Sequence, residues 1–132
     1  MSLSISELVD RAYLNSKNHG FHEQDADGVT DARFGQMIAL AHSELSEALE
    51  GHRSLKPFLE EARLAGADAA TEYGNVQNYA HRLQADNVVE ELADVVIRIA
   101  DMCGTLGFNL QAAIEKKMLK NESRPYKHGK SY

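Results

Sequence analysis

The segment DNVVEELADVVIRIADMCGTL, residues 86–106, decides the fold class because its apolar side chains recur at intervals of three and four. That spacing places on one face of an α-helix the residues Val88, Leu92, Val95, Ile99, Met102 and Leu106, with Val89, Val96 and Cys103 at its edges. Gly107 comes directly afterwards, where glycine commonly ends a helix. The sequence therefore predicts an amphipathic helix from about Asp86 to Leu106.

Two shorter helices are predicted near the ends of the sequence. The first covers about residues 4–17, where Ser4 and Glu7 have the spacing of a capping box. The last begins after Asn109, a residue type that caps helices, and contains LQAAIEKKMLKN, residues 110–121. Both segments repeat their apolar residues with the period of a helix and not with the period of a strand.

The remaining helix is predicted from Asp31, as its cap, to about Glu50, with Gly51 as its end. Its expected inward residues are Phe34, Met37, Ile38, Ala41, Leu45 and Ala48. The periodicity then weakens over residues 54–85, which we interpret as an insertion that contains a short helix after Pro57. Four helices without a strand candidate predict an all-α, four-helix-bundle-like fold.

Length and composition set the class of protein. A chain of 132 residues fits one domain, residues 1–132, and 43% hydrophobic residues are enough for a core. The net charge of −6 disfavours a nucleic-acid partner, since phosphate contacts need surplus lysine and arginine. No apolar run approaches the length of a membrane span and no signal peptide is recognisable, so we expect no membrane partner and a cytoplasmic location. The single Cys103 is expected to be a buried thiol.

Two pairs of acidic residues lie beside the apolar stripes of their helices. They are Glu44 with Glu47, and Glu91 with Asp94. Residues three apart share a helix face, so each pair would line the place where two helices meet. Four carboxylates that converge on a partly buried cleft repel one another unless a cation is present. Oxygen ligands of this kind suit Mg²⁺ or Mn²⁺.

The last helix supplies the opposite charge. Lys117, Asn121 and Arg124 step by four and three, so they can present two cations and an amide on one side. Lysine near the C-terminus of a helix is also a routine complement to the helix dipole. Combined with an acidic metal cleft, however, such a set provides what binding of a triphosphate requires.

Two other phosphate or metal sites are disfavoured. A ferritin-like di-iron site needs a histidine three residues after a glutamate, and none of the six histidines has that position. The GKS sequence at residues 129–131 resembles the end of a phosphate-binding loop, but position 124 is arginine where that motif has glycine.

In this order the residues resemble the MazG-like branch of the all-α nucleoside triphosphate pyrophosphatases, whose superfamily includes the dimeric dUTPases and the dCTP pyrophosphatases. The resemblance covers about residues 31–53 and 86–130. The family pattern is Glu-x-x-Glu on one helix, Glu-x-x-Asp on a later helix, and a Lys/Asn/Arg set near the end. The matching residues are Glu44, Glu47, Glu91, Asp94, Lys117, Asn121 and Arg124. The chain departs from the pattern in the 43 residues between Glu47 and Glu91, a longer gap than the family usually shows.

The resemblance implies a hydrolase that splits a nucleoside triphosphate between its α and β phosphates, with Mg²⁺ as cofactor and Mn²⁺ as a possible substitute. It implies that the four carboxylates hold the metal, and that Glu47 also orients or deprotonates the attacking water. Lys117, Asn121 and Arg124 would bind phosphate and sugar. A MazG-type fold, assembly as a homodimer or homotetramer and a role in cleansing the nucleotide pool are implied in the same way.

Two alternatives remain at the level of sequence. The chain could be a noncatalytic helical interaction protein whose acidic helix faces are solvated. It could also hold a metal but act on a phosphorylated compound that is not a nucleotide. Dependence of thermal stability on metal ions tests the first alternative, and product analysis tests the second.

Overall fold

A computed structural model of the protein describes residues 2–64 and 87–125. Four α-helices occur in these ranges: α1 (Ile5–Asn18), α2 (Asp31–Leu64), α3 (Val88–Leu106) and α4 (Leu110–Glu122). One turn of 3₁₀ helix, Glu23–Asp25, lies between α1 and α2. No strand is found in the described ranges, and the prediction of an all-α chain is confirmed.

The predicted caps of the two shorter helices are present. The Ser4 hydroxyl accepts a hydrogen bond from the backbone N–H of Glu7 at 3.1 Å, and the Asn109 side chain accepts one from the N–H of Ala112 at 3.0 Å. Each bond satisfies a donor that the first turn of a helix leaves without a partner. At the end of α3, Gly107 has a φ of +70°, a left-handed conformation that favours glycine.

Helix α2 differs from the prediction at both ends. Its N-terminal cap is Thr30, whose hydroxyl accepts from the N–H of Arg33 at 3.1 Å, while Asp31 is the first helical residue. Its C-terminus is Leu64, so the helix continues through Gly51 and Pro57. A glycine costs a helix only about 1 kcal/mol relative to alanine, which the bonds on either side outweigh. Residues 54–64 of the predicted insertion are therefore helical, and residues 65–85 lie outside the described residues.

Contacts between backbone segments divide the described chain into two units. The first unit comprises residues 2–29 and 99–125, and the second comprises residues 30–64 and 87–98. Helix α3 contributes its N-terminal half to the second unit and its C-terminal half to the first. The acidic residues of the predicted site belong to the second unit, whereas Lys117, Asn121 and Arg124 belong to the first.

The first unit has a small core formed by α1 and α3. Its buried residues are Val9, Ala12, Ala100 and Cys103, with Leu8, Ile99 and Leu110 packed against them. Burial raises the pKa of the Cys103 thiol, because a thiolate is poorly solvated there. The expectation of a buried core thiol is confirmed.

The second unit buries less of its apolar surface than the sequence predicts. Met37, Ala48 and Val88 are buried. Phe34, Ile38 and Leu45 were expected to point inward, but their exposed fractions are 42%, 37% and 48%. They form a stripe along α2 that Leu49 continues.

Among the described residues, no helix is long and apolar enough to span a membrane.

A histidine in the first unit is bound between two carboxylates. The Nδ1 atom of His22 is 2.8 Å from an oxygen of Asp25, and its Nε2 atom is 2.6 Å from an oxygen of Asp101 on α3. Its ring also stacks on Tyr13 of α1, with 5.3 Å between ring centroids. Burial alone would lower the pKa of His22, but the bonds to the two carboxylates outweigh this effect and raise it. The contacts of His22 thus connect the loop after α1 to α1 and α3.

We expect the bonds of His22 to make stability depend on pH. A histidine with a raised pKa in the folded state stabilises fully below its unfolded pKa, and this contribution is lost as pH rises through the folded value. The free energy of unfolding should therefore decrease as pH rises above 6.5, the ordinary pKa of histidine. His22→Gln should lower it by about 1.5 kcal/mol at pH 6, the size of a charged hydrogen bond, and should flatten the decrease.

Urea unfolding of the wild type and of His22→Gln between pH 5.5 and 8.5 measures this effect. His19 provides the matched control, because it is exposed and, within residues 2–64 and 87–125, its ring bonds only to the backbone oxygen of Asn15. His19→Gln should preserve the slope of the wild type. Equal slopes for the wild type and His22→Gln would contradict the assignment of the pH dependence to His22.

Candidate metal centre

Glu44 is a buried acidic residue of α2. It is 9% exposed as a whole residue, and its side chain is 12% exposed. Met37 and Ala48, seven residues before it and four residues after it, are buried on the same helix face. The apolar periodicity that buries this face of α2 therefore carries Glu44 into it.

Glu91 and Asp94 occupy the first two turns of α3 and are half-buried. One carboxylate oxygen from each of Glu44, Glu91 and Asp94 can be chosen so that all three lie within 4.8 Å of one another. Oxygens bound to one Mg²⁺ at about 2.1 Å are at most about 4.2 Å apart, so the cluster is close to that size. The structure thus brings together three of the four acidic residues predicted to bind metal.

Glu47, the fourth predicted ligand, is exposed on α2 and lies outside this group of three. It nevertheless interacts with Glu91. A hydrogen bond to Glu47 is the largest of the effects that raise the pKa of Glu91, followed by burial and by repulsion from Glu47, Asp94 and Glu44. Glu47 is therefore next to the cluster.

One carboxylate oxygen of Glu91 is buried and has no hydrogen-bond partner among the described residues. This atom, Oε2, is inaccessible to solvent. An unsatisfied buried acceptor costs about 1–3 kcal/mol, and more when it is charged. A divalent cation would satisfy this oxygen and would reduce the repulsion among the carboxylates. The donor set therefore fits Mg²⁺ or Mn²⁺.

A cation that the sequence analysis did not single out also contacts the cluster. The Nε atom of Arg98 donates a hydrogen bond to Oε1 of Glu44 at 2.6 Å. Arg98 lies four residues after Asp94 and seven after Glu91, so the three residues share one face of α3. That spacing from the acidic pair is the sequence signal that identifies Arg98.

The predicted cationic set lies in the first unit. Lys117 is exposed on α4, and Arg124 is exposed two residues after the end of that helix. The helical spacing therefore does not extend to Arg124 as predicted. Arg124 instead belongs to a turn, in which its N–H donates to the backbone oxygen of Asn121 at 3.2 Å. Asn121 is half-buried, and its side-chain oxygen is inaccessible and accepts no hydrogen bond from the part of the chain that the structure describes. These three residues stay a predicted phosphate-binding set.

Comparisons of the chain with protein families, with curated proteins and with solved structures found no match.

Proposed function

We propose that this chain is an Mg²⁺-dependent nucleoside triphosphate pyrophosphohydrolase with a MazG-type fold. The observation that carries the proposal is the group of Glu44, Glu91 and Asp94. In addition, Oε2 of Glu91 is buried without a hydrogen-bond partner among the described residues. The reaction would consume one water, break the P–O bond between the α and β phosphates, and release a nucleoside monophosphate and pyrophosphate. A role in cleansing the nucleotide pool belongs to the same proposal.

The residues would divide the chemistry as follows. Glu44, Glu91 and Asp94 would hold the metal, which would neutralise phosphate oxygens and the charge that develops in the transition state. Glu47 is next to Glu91 and exposed, so its carboxylate is suited to accept a proton from the attacking water and to act as a further ligand. Lys117, Asn121 and Arg124 would bind phosphate and sugar.

The alternative of a noncatalytic helical protein with solvated acidic faces accounts less well for Glu44. A solvated face leaves its carboxylates in water, but Glu44 is 9% exposed and paired with Arg98. Burying a carboxylate is costly and needs a compensating partner. Burial of Glu44 therefore disfavours a purely solubilising surface.

We also propose that the chain assembles as a homodimer or homotetramer through the apolar stripe of α2. Phe34, Ile38, Leu45 and Leu49 are between 37% and 48% exposed and lie along one side of this helix. A second copy of the same stripe would remove these side chains from water. A monomeric mass in light scattering at micromolar concentration would overturn this proposal.

The activity is tested with a panel of canonical and damaged nucleoside triphosphates in the presence of Mg²⁺. Pyrophosphate and orthophosphate are measured separately. Release of pyrophosphate with a nucleoside monophosphate supports the proposal, and the preferred base is read from the panel. Release of orthophosphate alone would contradict cleavage between the α and β phosphates. Turnover restricted to non-nucleotide phosphates would favour the other metal-dependent alternative.

Binding of metal should raise the melting temperature even without substrate. At a concentration of Mn²⁺ ten times the dissociation constant, one site stabilises the folded chain by about 1.4 kcal/mol. For a chain of this size that corresponds to about 5 °C. Glu44→Gln should lose this shift, because it removes one ligand charge from the cluster. Thermal unfolding followed by circular dichroism measures both shifts.

The control variant is Glu50→Gln, since Glu50 is an exposed glutamate of the same helix outside the cluster. It should retain the metal-induced shift. Sodium chloride at matched ionic strength should not reproduce the shift, because screening acts on exposed charges without occupying a site. Equal shifts in the wild type and in Glu44→Gln would reject Glu44 as a ligand.

A further inference from the structure

Two arginine–glutamate pairs in the second unit have the same length but different surroundings. The Arg98–Glu44 and Arg53–Glu50 pairs both have an N···O distance of 2.6 Å. The side chains of Arg53 and Glu50 are 62% and 66% exposed. In the other pair the side chain of Glu44 is only 12% exposed, while that of Arg98 is 43% exposed. Arg98 therefore reaches from the surface to a buried carboxylate.

The guanidinium group of Arg98 has donors left over after this bond. Arginine carries five N–H donors in a rigid planar fork, and the bond to Glu44 uses the Nε–H. The terminal NH groups of Arg98 make no hydrogen bond to the described residues. Arg98 thus places a half-exposed cation with unused donors directly beside the acidic cluster.

We infer that Arg98 is a substrate-positioning residue that binds a phosphate oxygen of the metal-bound triphosphate. Without metal, Arg98 neutralises Glu44; once a divalent cation binds that carboxylate, the fork is released to bind the substrate. This inference rests on the proposed function, and it adds to the predicted phosphate-binding set a residue that belongs to the same unit as the metal cluster.

The inference predicts opposite effects on two ligands. Arg98 and a divalent cation compete for Glu44, so removal of Arg98 should strengthen the binding of metal alone. The same change should weaken the binding of a polyphosphate, because a charged hydrogen bond to phosphate is lost. A residue that only orients Glu44 as a ligand would instead weaken both when removed.

The experiment uses isothermal titration calorimetry on the full chain. The probes are Mn²⁺ alone and the 1:1 complex of Mn²⁺ with inorganic tripolyphosphate, titrated at a fixed concentration of free Mn²⁺. For Arg98→Gln we expect Mn²⁺ alone to bind about threefold to tenfold more tightly than to the wild type. The complex should bind at least about tenfold more weakly, because a charged hydrogen bond is lost. Arg98→Lys keeps the charge but lacks the fork, so the complex should bind with intermediate affinity.

Arg53→Gln is the matched control and should leave both affinities within about twofold of the wild type, because exposed pairs contribute little. Circular dichroism verifies that each variant is folded. If Arg98→Gln does not fold, the affinities of Arg98→Lys test the inference instead. If Arg98→Gln bound both ligands more weakly, or bound both with unchanged affinity, the inference would be overturned while the metal site stayed in place. Tight Mn²⁺ binding by the wild type without binding of the complex would also overturn it. A wild type that binds no Mn²⁺ would reject the proposed function, and the inference with it.

Discussion

Glu91→Gln is expected to reduce kcat/KM for the best triphosphate by about a hundredfold or more, equivalent to about 2.7 kcal/mol of transition-state stabilisation. The variant removes a ligand charge from the metal cluster while keeping the shape of the side chain. It also removes a carboxylate that three neighbouring acidic residues repel. The melting temperature without metal should therefore be unchanged or higher. Loss of activity together with retained stability is the expected signature, and Asp94→Asn should show it as well.

The control for this prediction is the neighbouring residue. Glu90 is exposed and lies about 100° around the helix from Glu91. Glu90→Gln should therefore keep activity within about threefold of the wild type, as expected for a surface charge. Initial rates at saturating Mg²⁺ for the three variants test the assignment. Nearly normal turnover in both Glu91→Gln and Asp94→Asn would reject the metal site, and an essential Glu90 beside a dispensable Glu91 would shift the site by one residue.

The fold class could be predicted because the local signals are strong. The spacing of apolar residues in α3 and the caps at Ser4 and Asn109 act over one or two turns, so the sequence contains them completely. The end of α2 depends on the low helix propensity of one glycine against the stability of the helix on both sides of it, which extends beyond one or two turns. Gly51 is a weak helix terminator, and the helix continues through it to Leu64. A single glycine was therefore insufficient to predict where α2 ends.

Burial was predicted less well than periodicity. The period of α2 identifies an apolar side, but it does not say which residues of that side are covered. Met37 is buried, whereas Phe34 and Leu45 remain largely exposed. The limit is physical, because burial depends on what packs against the helix, and that is a long-range property.

For the candidate site, helix periodicity predicted which residues of one helix share a face. It did not predict which residues of different helices contact one another. The i, i+3 spacing predicted that Glu91 and Asp94 share a face, and the structure brings Glu44 to them. It did not predict that Glu44 would be buried while Glu47, one turn later, stays exposed. The pairing of Glu44 with Arg98 joins residues 54 positions apart, and such contacts depend on tertiary structure.

The close approach of α1 and α3 at Gly104 is expected to make the first unit sensitive to a single added side chain. A Cβ atom at Gly104 of α3 would lie 2.6 Å from Cβ of Tyr13 on α1, and 3.3 Å from the backbone oxygen of Val9. Both obstacles are backbone or next to it, so rotation of a side chain cannot relieve the clash. Substitution should force α1 and α3 apart, which would also disturb the buried residues Ala12 and Ala100.

We therefore expect Gly104→Val to lower the free energy of unfolding by about 3 kcal/mol, the upper end for overpacking. Gly35 of α2 is the matched control. Apart from its chain neighbours and the backbone of its own helix, no atom of the described residues lies within 4 Å of a Cβ built there. Gly35→Val should leave stability unchanged or slightly higher, because valine has a better helix propensity than glycine. Urea unfolding of both variants measures the difference. Equal stabilities for Gly104→Val and Gly35→Val would contradict the close contact between Gly104 of α3 and Tyr13 of α1.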